Sequence, residues 1–371
     1  MKKKEEIRFK DLIPKASIEL VNYSAKDLID RLGKDIISNV VLSILCGDNI
    51  RNLTEGLTQR RLLLMNASLF ITYLKALNSY KDFTKNLTPI ISGELKKKLS
   101  ANEKRYLYWF LGLTGKSLDN VVRGEQGISD YLTSLDNNLF DVSKEIEKQY
   151  GKLDIHVSNK GIKYLMNWPS LLRCMLALGA QTLTIRGSEK SMYGKLFEKF
   201  VLGTVLSIIG AEYINREDIK KNKMVFWLSE REDKRESDAT LLLKPGFGVR
   251  FDIGFIGKGN PEISLDKVTR FERMMERGGL KHNTTTIILI DTLGNRSRTE
   301  EMARNIGGYI VQMSGTYWVY QLVHILKDIF PFYKHPMLKM SQEQSIKYLQ
   351  KNVPLVDLSQ FLSAVELQEF E

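Results

Sequence analysis

Cysteine and histidine are scarce in this 371-residue chain, with two of the first and four of the second. Neither shows the paired spacing of a structural zinc site, which excludes one. Cys46 and Cys174 each lie in an apolar run, and this predicts two buried thiols in a reducing compartment. Long hydrophobic runs are missing as well. The longest, residues 36–46 and 171–180, are shorter than the ~18 residues a membrane span requires. The opening MKKKEE leads into more charge and not into an apolar core, so no secretory leader is expected. No repeat and no low-complexity tract interrupts the chain. The run Gly257-Lys258-Gly259 lacks the Gly-Lys-Ser/Thr ending and the spacing of a phosphate-binding loop, so ATP is not implied. Together these absences predict a soluble, cytoplasmic protein.

What is present is basic charge. The formal net charge is +11 and the pI about 9.3, which favours a polyanionic partner such as nucleic acid; a merely basic surface is the plainer alternative. The length allows two domains with ample core. Residues 1–187 read almost entirely as helix: 27–46 is amphipathic, 57–77 carries an apolar stripe, and 162–178 reads as a further helix after the break at Ser158-Asn159-Lys160-Gly161. Lys96-Lys97-Lys98 reads as a solvated helix face. Tyr106, Tyr108, Trp109 and Phe110 read as core packing rather than as a platform for bases. This helical domain carries no chemistry of its own in the sequence; DNA recognition or support of a dimer is the role left to it.

From residue 188 the character changes, and 188–371 is read as a second, α/β domain. Residues 191–209 form a long helix, apolar on most sides, with Glu198 in its middle. A buried glutamate needs a partner, so Glu198 either binds a cation or pairs with Lys195 or Lys199. A strand follows at 224–229. The charged stretch 230–236 reads as a solvated loop.

The densest signal is RESDATLLLKPGFGVRFDIGFIGKGNPEISLDKVTRFERMMERGG, residues 235–279. Residues 239–243 and 249–256 lean to strand and flank turn chemistry at Lys244-Pro245-Gly246-Phe247-Gly248, which predicts a hairpin. If the turn centres on Pro245, Asp238 and Asp252 fall opposite each other. Their Cβ atoms would then stand ~4.5–5.5 Å apart. Two carboxylates that close repel unless a cation lies between them, so the pair is a candidate metal site; two solvated aspartates at strand ends are the other reading. Next, Asn260 suits an N-cap, Pro261 the first helical position and Glu262 the positive end of the helix dipole. That helix is predicted to reach Arg277 and stop at Gly278-Gly279. Strands at 284–291 and 309–313 and helices at 299–305 and 317–329 complete an α/β sandwich with a mixed sheet whose first strands pair antiparallel.

A helix bearing Glu198, a hairpin bearing Asp238 and Asp252, then helix, strand, helix and strand resemble the PD-(D/E)xK nuclease core. The wording from Glu236 to Arg273 also resembles type II restriction endonucleases of the CfrBI family. The resemblance implies a largely helical N-terminal region joined to an α/β nuclease core, a mixed sheet flanked by helices. It implies site-specific, Mg2+-dependent hydrolysis of double-stranded DNA to 5′-phosphate ends, by a homodimer at a near-palindromic site, in a prokaryotic cytoplasm with a cognate DNA methyltransferase. Carried over position by position, Asp238 takes the first motif acid, preceded by Ser237 where the pattern has proline, and Asp252 takes the second. Glu198 matches the acid that some members place on the first core helix, and is a third metal ligand. The lysine expected two residues after Asp252 is absent, since Gly254 stands there; Lys267 is the candidate replacement and Lys258 the alternative. Glu262 is a further candidate acid, although its place at the helix start also explains it. A repair or recombination nuclease of the same fold, and a non-catalytic DNA-binding protein on such a scaffold, are the rival readings.

Overall fold

The structure, a computed structural model, describes residues 7–22, 27, 29, 33–121, 127–214, 224–229, 237–244, 247–255, 283–292 and 308–362. In chain order the described helices are α1 (Lys15–Val21), α2 (Lys34–Leu45), α3 (Ile50–Ser79), α4 (Phe83–Leu95), α5 (Ala101–Phe110), α6 (Gly115–Val121), α7 (Gly127–Tyr150), α8 (Trp168–Ile208), α9 (Trp318–Ile329) and α10 (Gln342–Asn352). The strands are β1 (Ile155–Asn159), β2 (Ile162–Met166), β3 (Glu212–Tyr213), β4 (Val225–Leu228), β5 (Ala239–Lys244), β6 (Phe247–Gly254), β7 (Asn283–Ile290) and β8 (Tyr309–Gln312). The chain forms two compact units: Met1–Tyr23 with Gly56–Lys190, and Ser24–Glu55 with Ser191–Glu371.

The first unit is built on aromatic packing. Tyr73, Phe83, Tyr106, Trp109 and Phe110 are buried with Phe9, whose ring meets that of Phe110 edge-on at 5.1 Å. Tyr106 Oη lies 3.0 Å from Ser68 Oγ and 3.1 Å from Thr72 Oγ1, and burial pushes its pKa up to about 12. The aromatic cluster is therefore core. Helix α5 starts where Ser100 and Glu103 form a capping box. Lys96, Lys97 and Lys98 are exposed at the end of α4, and Lys97 donates to Glu94 at 3.1 Å.

Two expectations for this half are corrected. Residues 162–166 are strand, paired antiparallel with β1 from Ile155↔Met166 to Asn159↔Ile162. The break at Lys160-Gly161 is the turn itself: φ is +51° and +80° at its two central residues, as a two-residue hairpin demands. In addition, no new helix begins at 191, because α8 runs unbroken from Trp168 to Ile208. The interior glycines Gly179, Gly187 and Gly194 each cost only about 1 kcal/mol, too little to stop a helix packed along its length.

The second unit holds a six-stranded sheet in the order β3-β4-β5-β6-β7-β8. β4 pairs antiparallel with β5 and β5 with β6, while β6–β7, β7–β8 and β3–β4 are parallel. This is the mixed α/β sheet predicted above, with the short β3 added at its edge. β7 reads TTTIILI because both of its neighbours and both faces bury it: Ile287, Ile288, Leu289 and Ile290 are at most 1% exposed. From α8, Phe197, Phe200, Val201 and Val205 are buried. Segment 24–55, read above as part of the helical half, belongs to this second unit. Trp318 Nε1 donates to the Ile44 carbonyl at 2.9 Å, and Asn49 Nδ2 donates to Asp291 Oδ2 at 2.7 Å. Gly47, at φ +99°, has no room for a Cβ, which would lie 2.9 Å from the Thr316 backbone. Cys174 is buried as predicted, and its thiol is pushed up to about 11 by burial; Cys46 is only half-buried. Among the described residues no helix is long and apolar enough to cross a membrane.

His335 ties the chain after α9 to the end of α8. Met337 N–H donates to its Nδ1 at 3.2 Å, so the proton sits on Nε2, which donates to the Ile208 carbonyl at 3.0 Å. Burial lowers its pKa from the ordinary value of about 6.5. A second proton would have to enter at Nδ1 against an N–H already pointing there. The stabilisation is therefore complete above about pH 6.5 and is lost as pH falls below it, by at most about 1.4 kcal/mol per pH unit. Urea titrations at pH 7 and pH 5 should show wild type losing more stability than His335→Gln; equal losses would mean that this ring does not titrate in that range.

Candidate active site

The site grows out of the β5–β6 register. Ala239↔Phe251, Thr240↔Arg250 and Leu241↔Val249 are partners, so one step further sets Asp238 opposite Asp252. Close to the turn the register slips, with Leu242↔Gly248 followed by Lys244↔Phe247; the hairpin is thus symmetric about Pro245 in its body and bulged at its tip. Ala239, Leu241, Val249, Phe251 and Ile253 are all 0% exposed. Because side chains alternate across a strand, Asp238, Thr240, Arg250 and Asp252 share the opposite, half-buried face.

Each aspartate is fixed by its strand. Asp252 sits inside β6, between β5 and β7, with Ile288 as its parallel partner. Asp238 extends the β4–β5 ladder by one residue, its carbonyl accepting from Ser229 N–H at 3.1 Å. Its side chain reaches across to β6, where Ile253 N–H donates to Asp238 Oδ2 at 2.8 Å. That bond ties one carboxylate oxygen of Asp238 to the residue following Asp252. It brings the Asp238 side chain to the stretch of β6 that carries Asp252. Gly254, the position of the missing lysine, is buried beside Ile290 of β7.

Helix α8 carries the next two charges. Glu198 is half-buried, and the deeply buried one is Lys199, 2% exposed. Its Nζ donates to Ser229 O at 2.8 Å, to Ser229 Oγ at 3.0 Å and to Asp238 O at 3.3 Å. The expectation that Glu198 is the buried charge of this helix is corrected: the helix face that meets β4 and β5 has lysine, not glutamate, at its centre. Glu262, Lys267 and Lys258, and the predicted helices at 260–277 and 299–305, lie outside the described residues.

The model of the CfrBI restriction endonuclease family matches residues 34–298, which span most of the helical region, Glu198, Asp238, Asp252 and β7. The type II restriction enzyme CfrBI of Citrobacter freundii is 39% identical over 322 residues, covering 84% of this chain and 86% of that protein. The chain belongs to the CfrBI restriction endonuclease family. No solved structure matches it.

Membership in a family of type II restriction endonucleases implies a divalent metal ion. Mg2+ takes hard oxygen donors, commonly one or two carboxylates with water filling the remaining positions. Two aspartates on adjacent strands, one of them steadied by the main-chain N–H of the residue that follows the other, supply donors of that kind. Among the described residues no three His, Cys, Asp or Glu side chains gather into a ready-made cage. Lys199 is the residue that sequence reasoning undervalued, since it entered only as a partner for Glu198. A signal was there: of its four neighbours one helical turn away, Leu196, Leu202 and Gly203 are apolar or small, and only Lys195 is charged.

Proposed function

We propose that this member of the CfrBI family is a PD-(D/E)xK nuclease that hydrolyses double-stranded DNA at a specific, near-palindromic site, using Mg2+ and leaving 5′-phosphate ends. The observation that carries the reading is the β5–β6 register, which, continued one residue past Ala239↔Phe251, sets Asp238 opposite Asp252, in a chain whose family cuts DNA. Asp238 and Asp252 hold the ion; Glu198 of α8, which does not gather with them in the structure, joins as a third ligand when the ion binds. When bound, Mg2+ lowers the pKa of its waters and offsets charge on the scissile phosphate. The chain's own contribution is placement. Asp252 cannot swing because β5 and β7 pin its strand, and Asp238 is held at its carboxylate by Ile253 N–H; such preorganisation lowers the reorganisation needed when charge develops.

Lys267, or alternatively Lys258, takes the part of the lysine absent at Gly254, favouring the deprotonated nucleophile and the negative charge that builds on the phosphate. Glu262 supplies a further acid from the following segment. Since both strands of a duplex must be cut, a two-fold homodimer facing a near-palindrome is the natural assembly. The helical unit serves DNA recognition or the dimer, and the net charge of +11 suits the polyanion. A cognate methyltransferase protects the host's own sites in the same cytoplasm.

Incubating plasmid with the full chain and Mg2+, against an EDTA control, and sequencing the ends tests the reading. Discrete fragments with 5′-phosphate termini are expected. Binding without cutting would favour the non-catalytic scaffold, and smears or structure-specific nicks a repair nuclease.

A further inference from the structure

Lys199 is a buried cation standing behind one of the two proposed metal ligands. An ammonium donates hydrogen bonds and accepts none, and its acceptors among the described residues include Ser229 O, Ser229 Oγ and Asp238 O, at 2.8, 3.0 and 3.3 Å. Two of these are main-chain carbonyls of residues that face each other where β4 and β5 end. The third, the Ser229 hydroxyl, itself lies 3.2 Å from the Asp238 carbonyl. Helix α8 thus fastens the last rung of the β4–β5 ladder through a single side chain. Leaving a charge at 2% exposure is unfavourable unless its acceptors are fixed and complete. A lysine put there only to fill space is a poor choice beside Leu196 and Leu202.

Asp238 is the residue this arrangement grips. Lys199 holds its carbonyl from the helix side, and Ile253 N–H holds its carboxylate from the β6 side. Between those two anchors the Cα and Cβ of Asp238 have little freedom.

We propose that Lys199 is a positioning residue of the metal site: it sets the Asp238 carboxylate beside Asp252 by holding the Asp238 main chain, and it acts through Asp238 without touching DNA. The proposal rests on the reading of Asp238 and Asp252 as metal ligands, and the test separates the two. Full-length Lys199→Met and Lys199→Arg would be compared with wild type and Asp252→Ala. The readouts are Mn2+ binding without DNA by electron paramagnetic resonance, the Mg2+ concentration giving half-maximal plasmid cleavage, and DNA affinity measured in Ca2+.

Losing a group that orients a ligand typically costs about 10–100-fold in metal affinity or activity. Lys199→Met should therefore bind Mn2+ about tenfold or more weakly and need correspondingly more Mg2+, with DNA affinity within about twofold of wild type. Lys199→Arg should recover part of the loss. A merely structural lysine would reduce the active fraction at every Mg2+ concentration and leave the metal midpoint in place. Wild-type Mn2+ affinity in folded Lys199→Met overturns the proposal. Should Lys199→Met not fold, Ser229→Ala decides: it removes one acceptor of the ammonium and keeps the lysine, and an unchanged Mn2+ affinity there is equally fatal. If Asp252→Ala binds Mn2+ as well as wild type, the ligand assignment fails first; if it loses Mn2+ and Lys199→Met does not, only the positioning role falls.

Discussion

Asp252→Ala should cut DNA at least ~1000-fold more slowly than wild type while binding it as well or better. The rate loss follows from removing one of two carboxylates that hold the proposed ion: several kcal/mol of charge stabilisation in the transition state correspond to about three powers of ten. The binding expectation has a separate origin. Asp252 lies on the half-buried face shared with Asp238, Thr240 and Arg250, and an anionic group there opposes an approaching phosphate when no metal is present. Its removal lowers that repulsion. Folding should be retained, because the substitution leaves β6 paired on both sides. The thermal midpoint should therefore change little. Single-turnover cleavage in Mg2+, filter binding in Ca2+ and a thermal melt together check the three parts. Wild-type cleavage by this variant would remove Asp252 from the site.

The largest effect on stability is expected in the first unit, at Arg61, 5% exposed. Its Nε and Nη2 donate to the Leu20 carbonyl at 2.9 and 2.7 Å, and Nη2 donates also to the Val21 carbonyl at 3.0 Å. These are carbonyls at the C-terminal end of α1, where no further helical turn remains to satisfy them. Its Nη1 donates to Glu189 Oε1 at 3.2 Å, and Glu189 is 1% exposed. Arg61→Met keeps the bulk of the stem and deletes the planar fork. The carboxylate of Glu189 then loses its buried guanidinium, and breaking a buried pair from one side costs about 3–5 kcal/mol. Urea denaturation followed by tryptophan fluorescence should show the midpoint falling with little change in slope. Glu189→Gln should cost less, since the guanidinium would keep both α1 carbonyls. Equal losses for the two variants would show that the ion pair, and not the capping of α1, is what Arg61 contributes.

Much of the second unit was legible because its signals are short in range. The alternation in ATLLLK and VRFDIG, the turn chemistry between them and the unbroken apolar run of β7 each lie within a few residues, and strand pairing follows from them. The register from Ala239↔Phe251 to Leu241↔Val249 follows too, since a hairpin register is set by its own turn, and the irregularity at Leu242/Lys244 falls next to that turn. The hairpin at residues 155–166 is not legible from pattern, although Lys160-Gly161 is a turn signal, because strands of five residues are too short for their period to stand out against helix. The continuity of α8 escaped for a related reason: interior glycines resemble punctuation in sequence, and only packing along the helix outweighs them.

By itself the sequence determined strands β4 to β8 and the antiparallel pairing of β5 with β6, because neighbouring residues carry all the geometry these require. Only the tertiary structure decided that segment 24–55 joins the second unit, and that Lys199 rather than Glu198 lies at the centre of the buried helix face. Both outcomes depend on groups distant in the chain: Asn49 meets Asp291, and the Lys199 ammonium finds oxygens on Ser229 and Asp238. A buried charge is placed by its acceptors, and no local window of sequence contains them.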